Sequence, residues 1–262
     1  MKLELSEFET QPETTRAYSK IAIIVPAFNE AGSIKDVLED LNRVNPGHWD
    51  IIIVNDHSED ETLKFAQEYS HTIIELPINL GIGGCVQSGL LFAHRNGYDI
   101  AVQFDSDGQH VASEIKTLLW AMSESNADVV IGSRFIQSFE GQFKSSFFRR
   151  LGIKVIRLAT KALTGSSIKD PTSGFRAFNV RAISLFAMNY PVHYPEPESL
   201  IKLHKNNLKV HEVSTLMNPR STGESSIKQK AVFYMFNVLL GMMVTAMRPQ
   251  KPNSEHAVRS DC

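Results

Sequence analysis

Five short apolar runs, separated by segments with helical periodicity, dominate the first half of the chain. They lie at residues 21–25, 51–54, 72–76, 100–104 and 128–132. Continuous runs of this length that are rich in Ile and Val are typical of strands buried on both faces of a parallel sheet. Because helical segments alternate with these strands, the pattern predicts an α/β fold in which helices flank a mostly parallel, doubly wound sheet.

Two of the intervening segments begin with a helix-start signal. Ser33 is followed three residues later by Asp36, and Ser58 is followed by Glu61, which is the spacing of a capping box. The pattern therefore predicts one helix beginning after Ser33 and another beginning after Ser58, the second continuing to about Tyr69.

The second half of the chain is less regular. Residues 172–178 are typical of a turn that enters a strand, a helix is predicted to begin at Ser199, and residues 209–214 are predicted to form a late strand. From Ala231 to Met247 the chain has 17 residues without a charge. This run is at the short limit for crossing a bilayer, so it favours an interfacial or partner-binding helix.

Polar clusters follow three of the predicted strands. Asn29 and Glu30 follow the first, Asp56 follows the second, and Asp105 and Asp107 follow the fourth. Parallel strands bring their carboxyl ends to one edge of the sheet, where α/β proteins bind ligands. We therefore expect these side chains to meet in one cleft.

Asp105 and Asp107 are the clearest candidates for metal ligands. Two carboxylates close together at the end of a buried strand are unfavourable unless a positive partner lies between them. A divalent cation bound by oxygen ligands is the simplest such partner. The sequence thus predicts that these two residues hold a metal that neutralises a diphosphate.

Composition limits the class of protein and its partners. The chain has 262 residues, is 42% hydrophobic and 21% charged, and carries a formal net charge of −2. These values are ordinary for a globular domain, and the lack of a basic excess argues against a nucleic-acid partner. Two cysteines exclude a disulfide framework and favour a reducing, cytoplasmic compartment.

A basic stripe precedes the second half of the sheet. Arg150, Lys154, Arg157 and Lys161 are spaced as one face of a helix. A solvated helix face is the simplest interpretation, and a surface for anionic lipid headgroups is the second. Together with the uncharged run at 231–247, the stripe predicts peripheral attachment to the inner face of the cytoplasmic membrane, or to a small membrane protein.

Several motifs in consistent order add a family resemblance. They are VPAFNE at 25–30, the cluster at Asp56, NLGIGG at 79–84, DSDGQ at 105–109, GSRF at 132–135, DPTSGFRAFN at 170–179 and Arg220-x-x-Gly223-x-Ser225. Together these motifs resemble the family-2 inverting glycosyltransferases with the Rossmann-like GT-A fold, in the dolichol-phosphate-mannose-synthase-like branch. The run Tyr-Pro-Glu-Pro-Glu at 194–198 is similar to members that act in bacterial polysaccharide synthesis.

The resemblance implies a nucleotide-sugar site and a metal. The residues that it places at the nucleotide sugar are Pro26, Ala27, Phe28, Asn29, Glu30, Asp56, Gly81, Asp105, Ser106, Asp107 and Gln109. It implies that Mg²⁺ or Mn²⁺ is held by Asp107 and Asp105, and that Arg134 and Arg220 face the phosphates of donor or acceptor.

The resemblance also implies transfer of a sugar from a nucleotide-diphosphate sugar to a lipid-linked acceptor. That acceptor is a polyprenyl phosphate or a growing glycan on a lipid carrier, used in cell-surface polysaccharide or glycolipid synthesis. A phosphate acceptor is already anionic, whereas a hydroxyl needs a base. Glu198 is the candidate base and Glu196 the weaker one. The chain lacks the Gln-x-x-Arg-Trp signature of processive synthases, which favours the addition of a single sugar.

Two alternatives remain at this stage. A nucleotidyltransferase also combines an α/β sheet, carboxylates and a metal, but a basic, Gly-rich loop after the first strand would be expected, and VPAFNE is not one. A catalytically silent glycosyltransferase-like binding subunit is the other alternative, and the presence of Asp105, Asp107 and Glu198 argues against it.

The expected domain organisation follows from these motifs. Residues 20–226 are predicted to form the glycosyltransferase domain, with a nucleotide-sugar half at about 20–135 and an acceptor half at about 136–226. The remaining segments are predicted to be mobile tails at 1–19 and 249–262 and an apolar helix at 227–248.

Overall fold

A computed structural model describes residues 20–136, 147–218 and 231–249 of the chain. The strands are β1 (Ile21–Ala27), β2 (Trp49–Asn55), β3 (Thr72–Glu75), β4 (Ile100–Gln103), β5 (Val129–Ser133), β6 (Arg176–Asn179) and β7 (Val210–Ser214). The helices are α1 (Ile34–Val44), α2 (Thr62–Ala66), α3 (Gly81–Arg95), α4 (Glu114–Ser125), α5 (Phe147–Thr164), α6 (Val180–Asn189), α7 (Pro195–Lys205) and α8 (Ala231–Met247).

The strands form one sheet in the order β3-β2-β1-β4-β6-β5-β7. The pairs β1–β2, β1–β4, β2–β3 and β5–β7 are parallel, which confirms the predicted mostly parallel sheet. Strand β6 lies between β4 and β5 and is antiparallel to both, with Ala177 opposite Val102 on one side and Val130 on the other. The sheet therefore unites strands from both predicted halves of the domain.

The core has a layer of helices on each face of the sheet. In β1, Ile23 and Val25 pack in the cluster that includes Leu38 of α1 and Leu118 of α4. Ile24 packs in the opposite cluster, with residues of α3 and α6. Since both faces of β1 are covered, its continuous apolar sequence follows directly from its position in the sheet.

Helix boundaries differ from the predicted ones in three places. Helix α7 begins at Pro195, not at Ser199. A proline is tolerated there because the first N–H groups of a helix have no intrahelical partner. Helix α2 begins at Thr62 with Glu61 as its N-cap, not directly after Ser58, and it ends at Ala66, not near Tyr69. Helix α6 had no sequence-based prediction, although Asn179 is a typical N-cap and accepts a hydrogen bond from the N–H of Ala182 at 3.1 Å.

Helices α5, α7 and α8 pack against one another beside the sheet. Their shared apolar cluster contains Ile156 of α5, Ile201 of α7, and Val238 and Met242 of α8. Helix α8 has the bounds that the uncharged run predicted. Within the three described segments, no helix combines the length and apolarity needed to cross a membrane. The predicted tail at 1–19 and nearly all of the one at 249–262 lie outside the described residues.

Candidate active site

A cleft of about 220 Å³ lies at the carboxyl ends of β1, β2 and β4. It is lined by Pro26, Ala27, Phe28, Glu30, Asp56, Ile82, Cys85, Asp105, Ser106 and Asp107. Asp56 and Asp107 follow different strands and line this same cleft, so the predicted convergence is present. Ile82 and Cys85, from the first turn of α3, were not among the predicted residues.

The first wall of the cleft is the loop after β1. Asn29 has a φ of 54°, donates its N–H to Oγ of Ser58 at 3.1 Å and accepts at Oδ1 from the N–H of Glu59 at 2.8 Å. It therefore ties the loop after β1 to the loop after β2 and does not line the cleft itself. Its neighbour Glu30 does line the cleft, and Oε2 of Glu30 accepts from Oγ of Ser33 at 2.8 Å.

Asp56 connects the ends of β1 and β2 to the start of α3. The residue is 2% exposed, its N–H donates to the carbonyl of Ala27 at 2.9 Å, and its Oδ1 accepts from the N–H of Leu80 at 2.7 Å. Gly81 comes next, with a φ of 74° that favours glycine. Gly81 shapes the turn into α3, whereas the adjacent Ile82 lines the cleft.

Asp105 lies two residues beyond the end of β4 and is held by two neighbours. Its Oδ1 accepts from Nε2 of Gln103 at 3.1 Å, and Nε2 of His110 lies 3.1 Å from its Oδ2. Burial opposes ionisation, but the hydrogen bond and charge of His110 outweigh it and hold the pKa of Asp105 below its ordinary value. The backbone of Gly174 approaches so closely that a Cβ there would lie 2.8 Å from Oδ2 of Asp105.

His110 is a buried residue that was not among the predicted site residues. It is 6% exposed and stacks on Phe175 with ring centroids 4.8 Å apart. Its ring thus braces Asp105 from the core side. The signal in the sequence was its position directly after the DSDGQ motif.

Asp107 is held by Gln109. The N–H of Gln109 donates to Oδ1 of Asp107 at 3.1 Å, and its side-chain amide donates to Oδ2. Gly108, with a φ of 74°, allows the turn that brings Gln109 back. Gln109 therefore lies beside Asp107 but does not itself line the cleft.

The donor set at this edge suits a hard divalent cation. The described residues contain no group of three or more His, Cys, Asp or Glu side chains arranged to hold a metal by themselves. Mg²⁺ commonly uses only one or two carboxylates and completes its shell with water and phosphate oxygens. Asp105 and Asp107 fit that role, since both are carboxylates on the cleft wall.

Arg134 follows β5 and is clamped by Asp170. Its Nε donates to Oδ2 of Asp170 at 2.7 Å, and its Nη2 donates to Oδ1 at 2.8 Å and to Oγ1 of Thr172 at 3.1 Å. The Asp170 side chain is fully buried. Burial works against the guanidinium charge, but Asp170 outweighs it and raises the pKa of Arg134, with Asp105 adding to the effect. Asp170 thus fixes the position of the Arg134 guanidinium and compensates its charge.

The two candidate bases in α7 have different surroundings. Oε1 of Glu198 accepts from the N–H of Tyr194 at 3.2 Å, and its Oε2 accepts from Oγ1 of Thr245 in α8 at 2.7 Å. Glu196 is half-buried, and burial raises the pKa of its carboxyl. The charge of Arg176 opposes this increase in the pKa, and the smaller effects of Asp105, which raises the pKa, and of Arg134, which lowers it, have opposite signs. Glu196 therefore interacts electrostatically with Asp105 and Arg134, whereas Glu198 joins α7 to α8.

Arg176 holds the first turn of α7 in place and was missed by the sequence reasoning. The side chain is fully buried. It donates to Oγ of Ser199 at 2.6 Å, and to the carbonyls of Ser173 at 2.7 Å, Glu196 at 3.1 Å and Pro171 at 3.3 Å. An arginine inside a predicted strand was the available signal. Arg220, the second predicted phosphate contact, lies outside the described residues.

A family comparison decides the class of protein. The model of glycosyl transferase family 2 matches residues 22–186, which is more than half of the chain. The chain belongs to this family. The family-2 match spans β1 to α6 and so includes the whole cleft, and it confirms that the protein is a glycosyltransferase.

Named relatives and solved structures agree with this assignment. A UDP-N-acetylglucosamine–dolichyl-phosphate N-acetylglucosaminyltransferase of Methanococcus voltae is 32% identical over 213 residues, covering 74% of this chain and 83% of the relative. A dolichol-phosphate mannosyltransferase of Pyrococcus furiosus is 30% identical, covering 82% of this chain and 61% of the relative. Glucosyl-3-phosphoglycerate synthase of Mycobacterium tuberculosis, solved with Mn²⁺, UDP and its product, superposes with a TM-score of 0.69 at 18% identity, covering 91% and 84% of the two chains. The last similarity confirms the GT-A fold.

Proposed function

We propose that this family-2 enzyme transfers one sugar, with inversion, from a nucleotide-diphosphate sugar to a lipid-linked acceptor. The acceptor would be a polyprenyl phosphate or a glycan growing on a lipid carrier, in cell-surface polysaccharide or glycolipid synthesis. The observation that carries the proposal is the convergence of Asp56, Asp105 and Asp107 on one cleft at the carboxyl edge of the sheet.

The β1 and β2 side of the cleft would hold the nucleoside. Asp56 is almost fully buried and has one carboxylate oxygen committed to Leu80, so its position is fixed before any ligand arrives. Phe28 is 43% exposed at the rim and offers an aromatic face on which a base can stack. Pro26, Ala27 and Glu30 complete this wall, with Asn29 and Gly81 shaping the backbone around it.

The β4 side would hold the diphosphate. Asp107 and Asp105 would bind Mg²⁺ or Mn²⁺, which when bound acts as a Lewis acid for the leaving diphosphate. Gln109 and His110 orient the two carboxylates, and Ser106 anchors the loop through a 2.7 Å bond to the carbonyl of Pro26. Arg134, held by Asp170, and Arg220 would add positive charge for the phosphates.

The identity of the base depends on the acceptor. A lipid phosphate needs none, whereas a hydroxyl must lose a proton. We propose Glu196 for that task, because its pKa is raised by burial and it senses Asp105 and Arg134. Glu198 was the first candidate from the sequence, but both of its carboxylate oxygens accept hydrogen bonds, one from the N–H of Tyr194 at the start of α7 and one from Thr245 of α8.

The lipid nature of the acceptor is supported by the relatives. The proteins from Methanococcus voltae and Pyrococcus furiosus described above are both named as transferases to dolichyl or dolichol phosphate. We extend this acceptor class to the present chain, and with it peripheral placement on the inner face of the cytoplasmic membrane.

The decisive experiment combines binding with turnover. We expect UDP, GDP or dTDP with Mn²⁺ to raise the melting temperature, since a ligand at about 100 times its Kd adds about 2.7 kcal/mol of stability. Asp107→Ala should abolish the metal-dependent part of the shift, and Asp36→Ala, an exposed carboxylate on α1, should leave it intact. When the nucleotide-diphosphate sugar carries a radiolabelled sugar, we expect the label to be transferred to polyprenyl phosphate.

Two results would contradict the proposal. Nucleotide and metal binding without transfer to any lipid-linked acceptor would restore the silent binding subunit. Formation of a nucleotide-diphosphate sugar and pyrophosphate from a nucleoside triphosphate and a sugar 1-phosphate would indicate a nucleotidyltransferase instead.

A further inference from the structure

One side of α8 exposes large apolar side chains to solvent. Phe236 is 61% exposed, Leu240 47%, Met243 52% and Met247 70%. Their spacing of four, three and four residues places them on one stripe of the helix. Val238 and Met242, on the other side, are buried against α5 and α7. The stripe is therefore a second apolar face that the described part of the chain does not cover.

The neighbouring helix α5 adds a mixed stripe. Leu151 is 49% exposed and Leu158 is 68% exposed, and Lys154 and Lys161 are exposed between and beyond them. These residues lie opposite Ile156, which packs in the shared core with α7 and α8. Helix α5 thus presents apolar and cationic side chains on the side that faces away from the protein.

The charges of this surface have one sign. The sequences of α5 and α8 contain no Asp or Glu, and Arg157 is exposed beside the α5 stripe. Glu198, the acidic residue that contacts α8, points inward to Thr245. The surface therefore combines exposed apolar side chains with cations on helices that contain no acidic residue, which is the combination that binds an anionic bilayer interface.

We propose that the outward stripes of α5 and α8, which we call the α5–α8 face, dock on the surface of an anionic lipid bilayer. Apolar side chains of α8 would enter the headgroup region, and the Lys and Arg side chains of α5 would contact lipid phosphates. This inference rests on the proposed function, because it places the enzyme where a lipid-linked acceptor is found.

A second copy of the chain is the main competing occupant. It would cover the apolar stripe, but a symmetric contact would bring the cations of one copy towards those of the other. A bilayer with anionic headgroups has no such conflict, so the charge pattern favours lipid.

The test is flotation of the full chain with vesicles of phosphatidylcholine alone and of phosphatidylcholine with 30 mol% phosphatidylglycerol. We expect binding to the anionic vesicles and its loss at high salt, since exposed charges are then screened. Lys154→Ala combined with Lys161→Ala should weaken binding by about 25-fold, which is about fivefold for each cation removed. Lys116→Ala, on the exposed side of α4, is the matched control and should bind normally.

The apolar part has its own matched pair. Met243→Glu should weaken vesicle binding by about tenfold or more, because a half-exposed apolar side chain is replaced by an anion. Met188→Glu, at a position on α6 that is 68% exposed, should have no effect. The nucleotide-dependent shift in melting temperature should be unchanged in all four variants, which separates failure of docking from failure of the donor site.

Two outcomes would overturn the inference. One is equal recovery of the protein with and without anionic vesicles. The other is a dimer in sedimentation experiments that Met243→Glu dissociates and that does not bind lipid, which would assign the α5–α8 face to a second copy.

Discussion

Thr245 donates its hydroxyl to Oε2 of Glu198 at 2.7 Å, and this bond joins α8 to the first turn of α7. That turn also carries Glu196, whose backbone carbonyl is held by the buried Arg176 at 3.1 Å. The two glutamates are separated only by Pro197, and they differ in the tasks that we propose for them. Glu198 links α7 to α8, whereas burial raises the pKa of the Glu196 carboxyl.

The first prediction separates these two tasks. Glu196→Gln should lower kcat with a hydroxyl acceptor by about 10²- to 10³-fold, because an amide cannot accept the proton, and should leave the melting temperature nearly unchanged. Glu198→Gln should retain most of the turnover, since an amide oxygen can still accept from Thr245. Steady-state transfer assays and thermal unfolding of the two variants are the measurements. Equal loss of kcat in both variants, or a larger loss in Glu198→Gln, would return the base to Glu198.

The link between α7 and α8 can be measured by itself. Thr245→Val should reduce the free energy of unfolding by about 1 to 2 kcal/mol, because it leaves a partly buried carboxylate oxygen without its donor. In a double-mutant cycle with Glu198→Ala, the two losses should be less than additive, because they remove the same bond. Additive losses would show that the bond contributes nothing to stability.

The pH dependence of turnover follows from the raised pKa of Glu196. A base must be deprotonated to act, so activity with a hydroxyl acceptor should fall as the pH drops through the pKa of Glu196. Burial raises that pKa, and the acidic limb of the profile should therefore lie above the ordinary range of a glutamate, near 4.3 to 4.5. Glu196→Gln should lose this limb. With a phosphate acceptor, the wild-type profile should lack the limb as well.

Arg134 and Asp170 should behave as a coupled pair. Asp170→Asn removes the charge that compensates a guanidinium with only 11% of its side chain exposed, so it should destabilise the protein by about 3 kcal/mol. Arg134→Met in the same chain should recover part of that loss, because no uncompensated charge then remains. Chemical denaturation of the wild type and of these two variants tests this. An Asp170→Asn variant as stable as the wild type would remove the pair from the structural account.

Cys85 lines the cleft yet should be inert. Its Sγ lies 3.2 Å from the carbonyl of Val54, and burial, with the charge of Asp56 added, strongly raises the pKa of the thiol. In a Cys262→Ser background, alkylation of the native protein at pH 8 should be at least about tenfold slower than that of the unfolded chain, since the thiolate is the reactive form. Equal rates would show that the residue is exposed or ionised.

Most of the sheet and the position of the cleft could be predicted from the sequence. Continuous apolar runs placed five of the seven strands, and the segments at 172–178 and 209–214 indicated the other two. The polar residues after β1, β2 and β4 pointed to one binding edge. These features depend on local sequence patterns. A strand that is buried on both faces has a continuous apolar sequence, and a helix has apolar residues that recur with its own period. The uncharged run likewise located α8 from its first residue to its last.

Other features depended on contacts between distant segments. Nothing in RAFN states that β6 runs antiparallel between β4 and β5, because a strand's hydrophobic pattern is the same in either direction. The sequence does not indicate that Asp170 binds the guanidinium of Arg134, because the two residues are 36 positions apart and meet only in the folded chain. The motif Pro-Glu-Pro-Glu likewise offers two carboxylates without ranking them. A local pattern records how each residue is buried, whereas its partner is decided when the chain folds. Here folding brought the carboxylate of Glu198 to Thr245 of α8 and the backbone carbonyl of Glu196 to Arg176.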